Sequence, residues 1–360
     1  MTLSPVFRSE SAVKLLASHG VWSRLATDME GQAEAVRVIH ADLESLLGKE
    51  FRKAPPHVPS ASEVTTEAGL RFLQEYFFLI LFRSIFAALG VSDERLRFYT
   101  ELNFCIKGTI TAADNLFDDQ GKTLLPLVDT SGSRFLSILQ LMVLERLLQR
   151  VLDRAAAAGV VTREQGAAIQ RGLLDRMAAI GTLEGSEEGG VAEIPPPDEM
   201  VDTVHRVRGG ALFALAFAGP ALLEEGDVAA KLVKAERAVA QLGTAFQIVD
   251  DLTDFEFDVG RRSHNLLVSQ IQHGGSGAER AAFRPFWTGK EMENGDVETL
   301  FADSARVVLE RAYEEARASF RGLQELGFWF EADLADDVVR AIVGLDGVAR
   351  MEALTSPETA

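Results

Sequence analysis

FQIVDDLTDFEFD, residues Phe246 to Asp258, decides how this chain is read. Acidic residues stand at 250, 251, 254, 256 and 258, within a stretch whose Phe, Ile, Val and Leu are spaced to bury one helix face. Anions next to apolar surface are costly unless something positive meets them. Residues four apart share a helix face, so Asp250 and Asp254 project side by side, with Gln247 one turn before and Asp251 beside them. A second cluster lies upstream in TAADNLFDDQGK, Thr111 to Lys122. There Asp114 and Asp118 are four apart, with Asn115 and Asp119 adjacent. An exposed acidic helix face explains either cluster taken alone. Two such clusters, both on apolar helices, predict that they face one another across a cavity and hold hard divalent cations. Mg²⁺ takes oxygen ligands, keeps several waters and shares its remaining positions with substrate phosphates.

The rest of the chain bounds this reading. Of 360 residues, 47% are hydrophobic, enough for a large core, and the formal net charge is −18. So acidic a surface repels phosphate backbones, and no nucleic-acid partner is expected. The one cysteine, Cys105, excludes an intramolecular disulfide and reads as a small core residue. The N-terminus lacks the pattern of a signal peptide. The most apolar run, FFLILF (Phe77 to Phe82), falls short of the roughly 18 residues a spanning helix needs. These features predict a cytoplasmic protein with no transmembrane segment.

Apolar residues recur mostly at spacings of three and four. The clearest run is FLSILQLMVLERLLQRVLDRAAAAG, Phe135 to Gly159, which ends on a glycine stop. Similar helical runs cover 9–52, 62–89, 92–119, 162–184, 199–223, 226–256, 297–326 and 330–351. Loops are expected at APPHVPS (54–60), EIPPPDE (193–199) and HGGSG (273–277). No repeat of fixed period is present, and strand-like alternation is hard to find. The expectation is one all-α domain, residues 1–360, of about ten helices, with the motifs in 40–270 and C-terminal helices over 280–352.

FQIVDDLTD resembles the second aspartate-rich motif, FQxxDDxxD, of the trans-isoprenyl diphosphate synthases, or polyprenyl synthetases. DNLFD resembles their first motif, DDxxD, with Asn115 in place of the second aspartate. RGGALF (Arg208 to Phe213) is similar to the family's KTGAL-type segment, and GKEFR (Gly48 to Arg52) to its GKxxR motif. The resemblance covers most of 40–270. It implies an isoprenoid synthase bundle around a deep apolar cavity, usually a homodimer, with three Mg²⁺ ions (Mn²⁺ is the alternative metal) held by the two aspartate motifs.

By the same resemblance, Asp114, Asp118, Asp250 and Asp254 are the catalytic metal ligands, with Asp119 and Asp251 in the same clusters. Arg208 stands where a lysine binds the allylic diphosphate. Lys49 and Arg52 would hold isopentenyl diphosphate. The chain also departs from the family. An Arg-Arg pair after the first motif is missing, and only Lys122 is nearby. Lys107 stands in for a histidine or glutamine ahead of the first motif. In GRRSHN, Arg261 or Arg262 replaces the usual lysine. Gln247 would orient the metal site or a phosphate, whereas Glu256 and Asp258 read as loop charges beyond it. His205 and His264, lacking a second histidine at ligand spacing, are not read as metal ligands.

The implied activity is condensation of an allylic diphosphate with isopentenyl diphosphate. The small Ala112-Ala113 pair and the non-aromatic Thr109 and Ile110 point to a product of C20 or longer. A class I terpene cyclase acting on a single diphosphate, and an inactive partner subunit of a prenyl synthase, are the alternatives.

Overall fold

The computed structural model describes residues 7–117, 121–128, 132–293, 295–344 and 347–355. Among them helices account for almost all regular structure. The one β-type pairing is an isolated antiparallel bridge from Arg52 to Leu127. The all-α expectation is borne out. The chain forms two compact units. The first comprises His19–Gly172 with Ala216–Leu232, and the second Pro5–Ser18, Leu173–Leu215 and Val233–Ala360.

Several expected helices are broken where the backbone leaves helical space. The run over 9–52 is cut at Gly20, whose φ of 71° is accessible to glycine at little cost. Two helices result, Glu10–Ser18 and Val21–Leu46. The run over 62–89 divides at Tyr76 into Glu67–Glu75 and Phe77–Ala88. The 226–256 run stops at Thr253, and a short helix, Phe255–Arg261, restarts at Asp254. That break falls inside the second acidic cluster.

In the first unit, helix Val21–Leu46 buries Leu25, Met29, Ala33, Val36, Ile39 and Leu43, the stripe that three-and-four spacing dictates. Helix Asp93–Phe117 packs most extensively against Ser133–Ala157. The approach is close at Gly108, where a Cβ would lie 2.6 Å from a Leu144 methyl. His40 is buried in this unit, and burial pushes its imidazole down to about 4, against a modest opposing pull from Glu44.

The helical run Pro197–Leu223 begins in the second unit and is wound there as a π-helix over Val201–Gly210. By length and composition alone this run could cross a membrane. Yet His205 and Arg208 on it are buried against protein partners, as in a core helix. It crosses helix Gly226–Thr253 backbone to backbone. A Cβ on Gly209 would collide with the Gly243 carbonyl and lie 2.7 Å from Gln247 Cβ, and one on Gly243 would collide with the Gly209 carbonyl. The two glycines thus set Arg208 beside the turn that carries Gln247 and Asp251. Wide π turns recur at functional sites because they re-aim side chains within a helix.

Two outcomes test this account. Gly209→Ala should cost about 1–3 kcal/mol through overpacking, read as a lower denaturant midpoint. A variant as stable as the parent would refute the close crossing. For His40, the folded value lies below the unfolded one. Its contribution is therefore complete above pH 6.5 and is lost as pH falls from there toward 4. The loss should reach roughly 3 kcal/mol. His40→Gln should flatten the fall in unfolding free energy between pH 6.5 and 4.5, measured by urea titration.

Candidate active site

The first acidic cluster belongs to the first unit and FQIVDDLTD to the second. In the second, the Asp254 amide donates to the Asp250 carbonyl at 2.8 Å, so helical spacing survives the break and the two side chains keep one face. Asp250 is exposed and Asp254 half-buried. Asp251 turns the other way and is 2% exposed. Its Oδ2 accepts the Leu266 amide at 2.5 Å and lies 2.7 Å from His205 Nε2, and Gln247 Nε2 donates to its Oδ1 at 3.4 Å. His205 Nδ1 faces the Met200 carbonyl at 3.1 Å. Asn265 Nδ2 donates to the Asp251 carbonyl and to Asp258 Oδ2, each at 2.8 Å. The motif's acids are therefore divided, with Asp250 and Asp254 presented outward and Asp251 used as an internal anchor.

Glu256 and Asp258 are not loop charges, contrary to the sequence reading. Both lie on helix Phe255–Arg261. Glu256 is paired with Arg350, and Asp258 joins the Asn265 network. Burial holds the Asp258 carboxyl well above the usual carboxylate range. Asp251 adds to the shift, Asn265 opposes it, and Asp250 and Asp254 push further in the same direction. Like charges are crowded here, the electrostatic condition under which a cation is drawn in.

Arg208 is 9% exposed. Its Nε lies 2.5 Å from Glu184 Oε1, and its Nη2 donates to Glu187 Oε1 at 2.6 Å. Burial works against its charge, but Glu184, Glu187, Asp251 and Asp258 outweigh that and hold it more firmly protonated than usual. Glu187 also accepts from the His264 amide at 3.1 Å and lies 2.7 Å from His264 Nδ1. Burial raises the Glu187 carboxyl, yet the His264 hydrogen bond and Arg208 bring it below its ordinary value overall. This network staples 184–191 to the segment after the second motif, where the Val191 amide donates to the Arg262 carbonyl at 2.8 Å. Arg261 and Arg262 are exposed and lie over the rings of Phe257 and Trp287 at 5.2 and 5.5 Å.

In the first unit Asp114 sits exposed on the last turn of helix Asp93–Phe117. Asp118 and Asp119 lie outside the described residues. Asn115, the departure from the motif, is 1% exposed. Its Nδ2 donates to the Lys122 carbonyl at 2.7 Å, and its Oδ1 accepts the Lys122 amide at 3.1 Å. Gln140 Nε2 reaches the same carbonyl at 3.2 Å. Only an amide matches this donor-and-acceptor pair, because an aspartate would set an oxygen against the carbonyl.

Lys49 is exposed on the short 3₁₀ turn Lys49–Phe51. Arg52 donates from Nε to the Leu47 carbonyl at 3.0 Å and pairs with Glu44 at 3.1 Å. Lys107 Nζ donates to the Glu75 carbonyl at 2.7 Å and lies over the Tyr76 ring at 5.2 Å. Burial lowers its amine below the ordinary lysine value, partly countered by Glu75.

Sequence reasoning missed the organising roles of His205, His264, Glu184 and Glu187, which no local spacing marks. Asn265 did carry a signal. It precedes the apolar LLVS and caps helix Leu266–Ser269 by accepting the Leu267 and Val268 amides. Hard oxygen donors at Asp250 and Asp254 suit Mg²⁺. Among the described residues no three His, Cys, Asp or Glu side chains converge on one point. Mg²⁺ commonly takes one or two carboxylates and completes its shell with water and phosphate, so the donor set fits it.

The fold has solved counterparts. A polyprenyl synthase from Roseobacter denitrificans superposes with a TM-score of 0.56 at 20% identity, covering 89% of this chain and 99% of the other. A decaprenyl diphosphate synthase from Rhodobacter capsulatus gives 0.53 at 20%, with the same coverage. A geranylgeranyl pyrophosphate synthetase from Geoglobus acetivorans gives 0.54 at 15%, over 90% and 99% of the two chains. No family model and no curated protein matches the sequence. The fold is that of the isoprenoid synthases, and the resemblance read from the motifs holds at the level of fold.

Asn115→Asp restores the usual motif yet should destabilise the protein by about 1–3 kcal/mol, because it sets a buried carboxylate against the part-buried Lys122 carbonyl. Chemical denaturation reads the difference, and unchanged stability would sink the assignment.

Proposed function

We propose that this chain is a Mg²⁺-dependent trans-prenyltransferase that condenses an allylic diphosphate with isopentenyl diphosphate. The observation that carries the reading is the division of FQIVDDLTD into two outward carboxylates, Asp250 and Asp254, and one buried anchor, Asp251. The likeness of the fold to solved prenyl synthases supports it.

In this reading Asp250 and Asp254 supply oxygen ligands from the second motif, and the first motif's Asp114 and Asp118 are ligands by the same resemblance, with Asp119 in support. Bound Mg²⁺ would neutralise charge on the diphosphate as its C–O bond ionises. Arg208 carries fixed positive charge for the allylic diphosphate and is held in one place by Glu184 and Glu187. Arg261 and Arg262 add exposed cations on the same unit. Gln247 steadies Asp251 and through it the turn that presents Asp250. Lys49 and Arg52 hold the second diphosphate. Lys107 backs the first motif two helical turns below Asp114. Preorganised charge of this kind acts by favouring the leaving group's developing negative charge over that of the bound substrate. The resulting allylic cation is attacked by the alkene of isopentenyl diphosphate, and loss of a proton completes a longer polyprenyl diphosphate, C20 or beyond. We take the working form to be a homodimer in the cytoplasm.

Purified protein with Mg²⁺ should convert geranyl or farnesyl diphosphate to longer diphosphates only when isopentenyl diphosphate is present, read by mass spectrometry. Asp250→Ala should lower the rate by at least about 100-fold, and chelation by EDTA should abolish it. Hydrocarbon or alcohol from a single diphosphate would replace this reading with a terpene cyclase. A product ending at C15 would overturn the chain length alone.

A further inference from the structure

A residue far from either motif in sequence grips the second one. Arg350, on helix Val348–Thr355, is 7% exposed and buried against the end of the motif helix. Its Nη1 donates to the Leu252 carbonyl at 2.5 Å, two residues before Asp254. Its Nη1 and Nη2 both reach the carboxylate of Glu256, two residues after Asp254. Its Nε donates to Glu298 Oε1 at 3.0 Å. The same C-terminal segment presses on the intervening residue. A Cβ on Gly347 would lie 2.6 Å from Thr253 Oγ1, and one on Gly344 would lie 3.3 Å from Thr253 Cγ2.

Asp254 is where this grip matters. The long helix ends at Thr253, the next begins at Phe255, and Asp254 sits at the joint with φ −99° and ψ 16°. A helix terminus leaves carbonyls without intrahelical partners, and Leu252 is one of the last four residues of its helix. A guanidinium has a planar fork of donors and can hold a carbonyl and a carboxylate at once, which an ammonium does not reproduce. Without that fork the joint has fewer constraints, and Asp254 can swing relative to Asp250.

We propose that Arg350 is a positioning residue for the second aspartate motif, clamping Leu252 and Glu256 on either side of Asp254 so that Asp250 and Asp254 stay aligned for a divalent cation and its diphosphate. The inference rests on the reading of Asp254 as a metal ligand. It adds that the C-terminal helix is part of what makes the motif competent. Groups that orient metal ligands commonly change metal affinity by about 10–100-fold when altered.

The test compares the full-length protein with Arg350→Lys, which keeps the charge, and Glu256→Gln, which keeps the shape and loosens the clamp from the other side. Mg²⁺ affinity is measured by calorimetry with inorganic pyrophosphate as the co-ligand. Amide exchange is followed over 252–258, and turnover is followed against Mg²⁺ concentration. Both variants should melt cooperatively, bind Mg²⁺ about tenfold or more weakly, and exchange faster over 252–258. Their kcat should be largely restored at saturating Mg²⁺. The double variant should lose little more than the worse single one, since both act through one contact. A merely structural role would lower the melting temperature and kcat while leaving Mg²⁺ affinity in place, and that result overturns the proposal. So does weaker binding with unaltered exchange at 252–258. A parent protein that binds Mg²⁺ and pyrophosphate but elongates no prenyl diphosphate would overturn the proposed reaction. The calorimetric comparison would still decide the clamp.

Discussion

The second unit is organised around one buried carboxylate. Asp251 accepts the Leu266 amide, faces His205 and takes a weaker contact from Gln247, while Asn265 binds its backbone carbonyl. These bonds tie the motif helix to the π-wound helix on one side and to the segment after the motif on the other. Burial removes water as a competitor, so each group must be satisfied by the others, and the loss of one leaves the rest uncompensated. The Gly209–Gly243 crossing makes the contact possible by letting two backbones meet. Arg208, Glu184, Glu187 and His264 extend the network toward the segment that carries Arg261 and Arg262.

With Asp251 committed to structure, Asp250 and Asp254 keep the outward face. Their helical register persists across a break that would otherwise disperse them, and Arg350 braces that break from the C-terminal helix. Asp258 shows what the arrangement costs, since burial and three neighbouring carboxylates push its carboxyl well above the usual carboxylate range. In the first unit the corresponding device is Asn115. It gives up a carboxylate to bind both backbone groups of Lys122, fixing the backbone at that residue. The departure from the usual aspartate has a local structural cause whatever its catalytic consequence.

Much of this was legible from spacing. Three-and-four periodicity located the long helices, the glycine at 159 marked the end of Ser133–Ala157, and the two i,i+4 aspartate pairs stood out from apolar surroundings. Helix breaks at Tyr76 and Thr253 were not legible. Their flanking residues continue a helical pattern, and tertiary packing overrides a weak local preference. Glu256 was misread for a related reason: a glutamate near a helix end is usually solvated, and its partner Arg350 lies 94 positions away.

The sequence by itself determined that the chain is helical, that its acidic residues are paired on helix faces, and which residue types could meet a cation or a diphosphate. Those are consequences of periodicity and side-chain chemistry, and both act over one or two turns. Only the tertiary structure decided which aspartate of FQIVDDLTD is buried, which glutamates hold Arg208, and what braces Asp254. These choices rest on contacts between segments distant in the chain, where desolvation and close backbone approach select one partner among many. Local sequence carries no record of that selection.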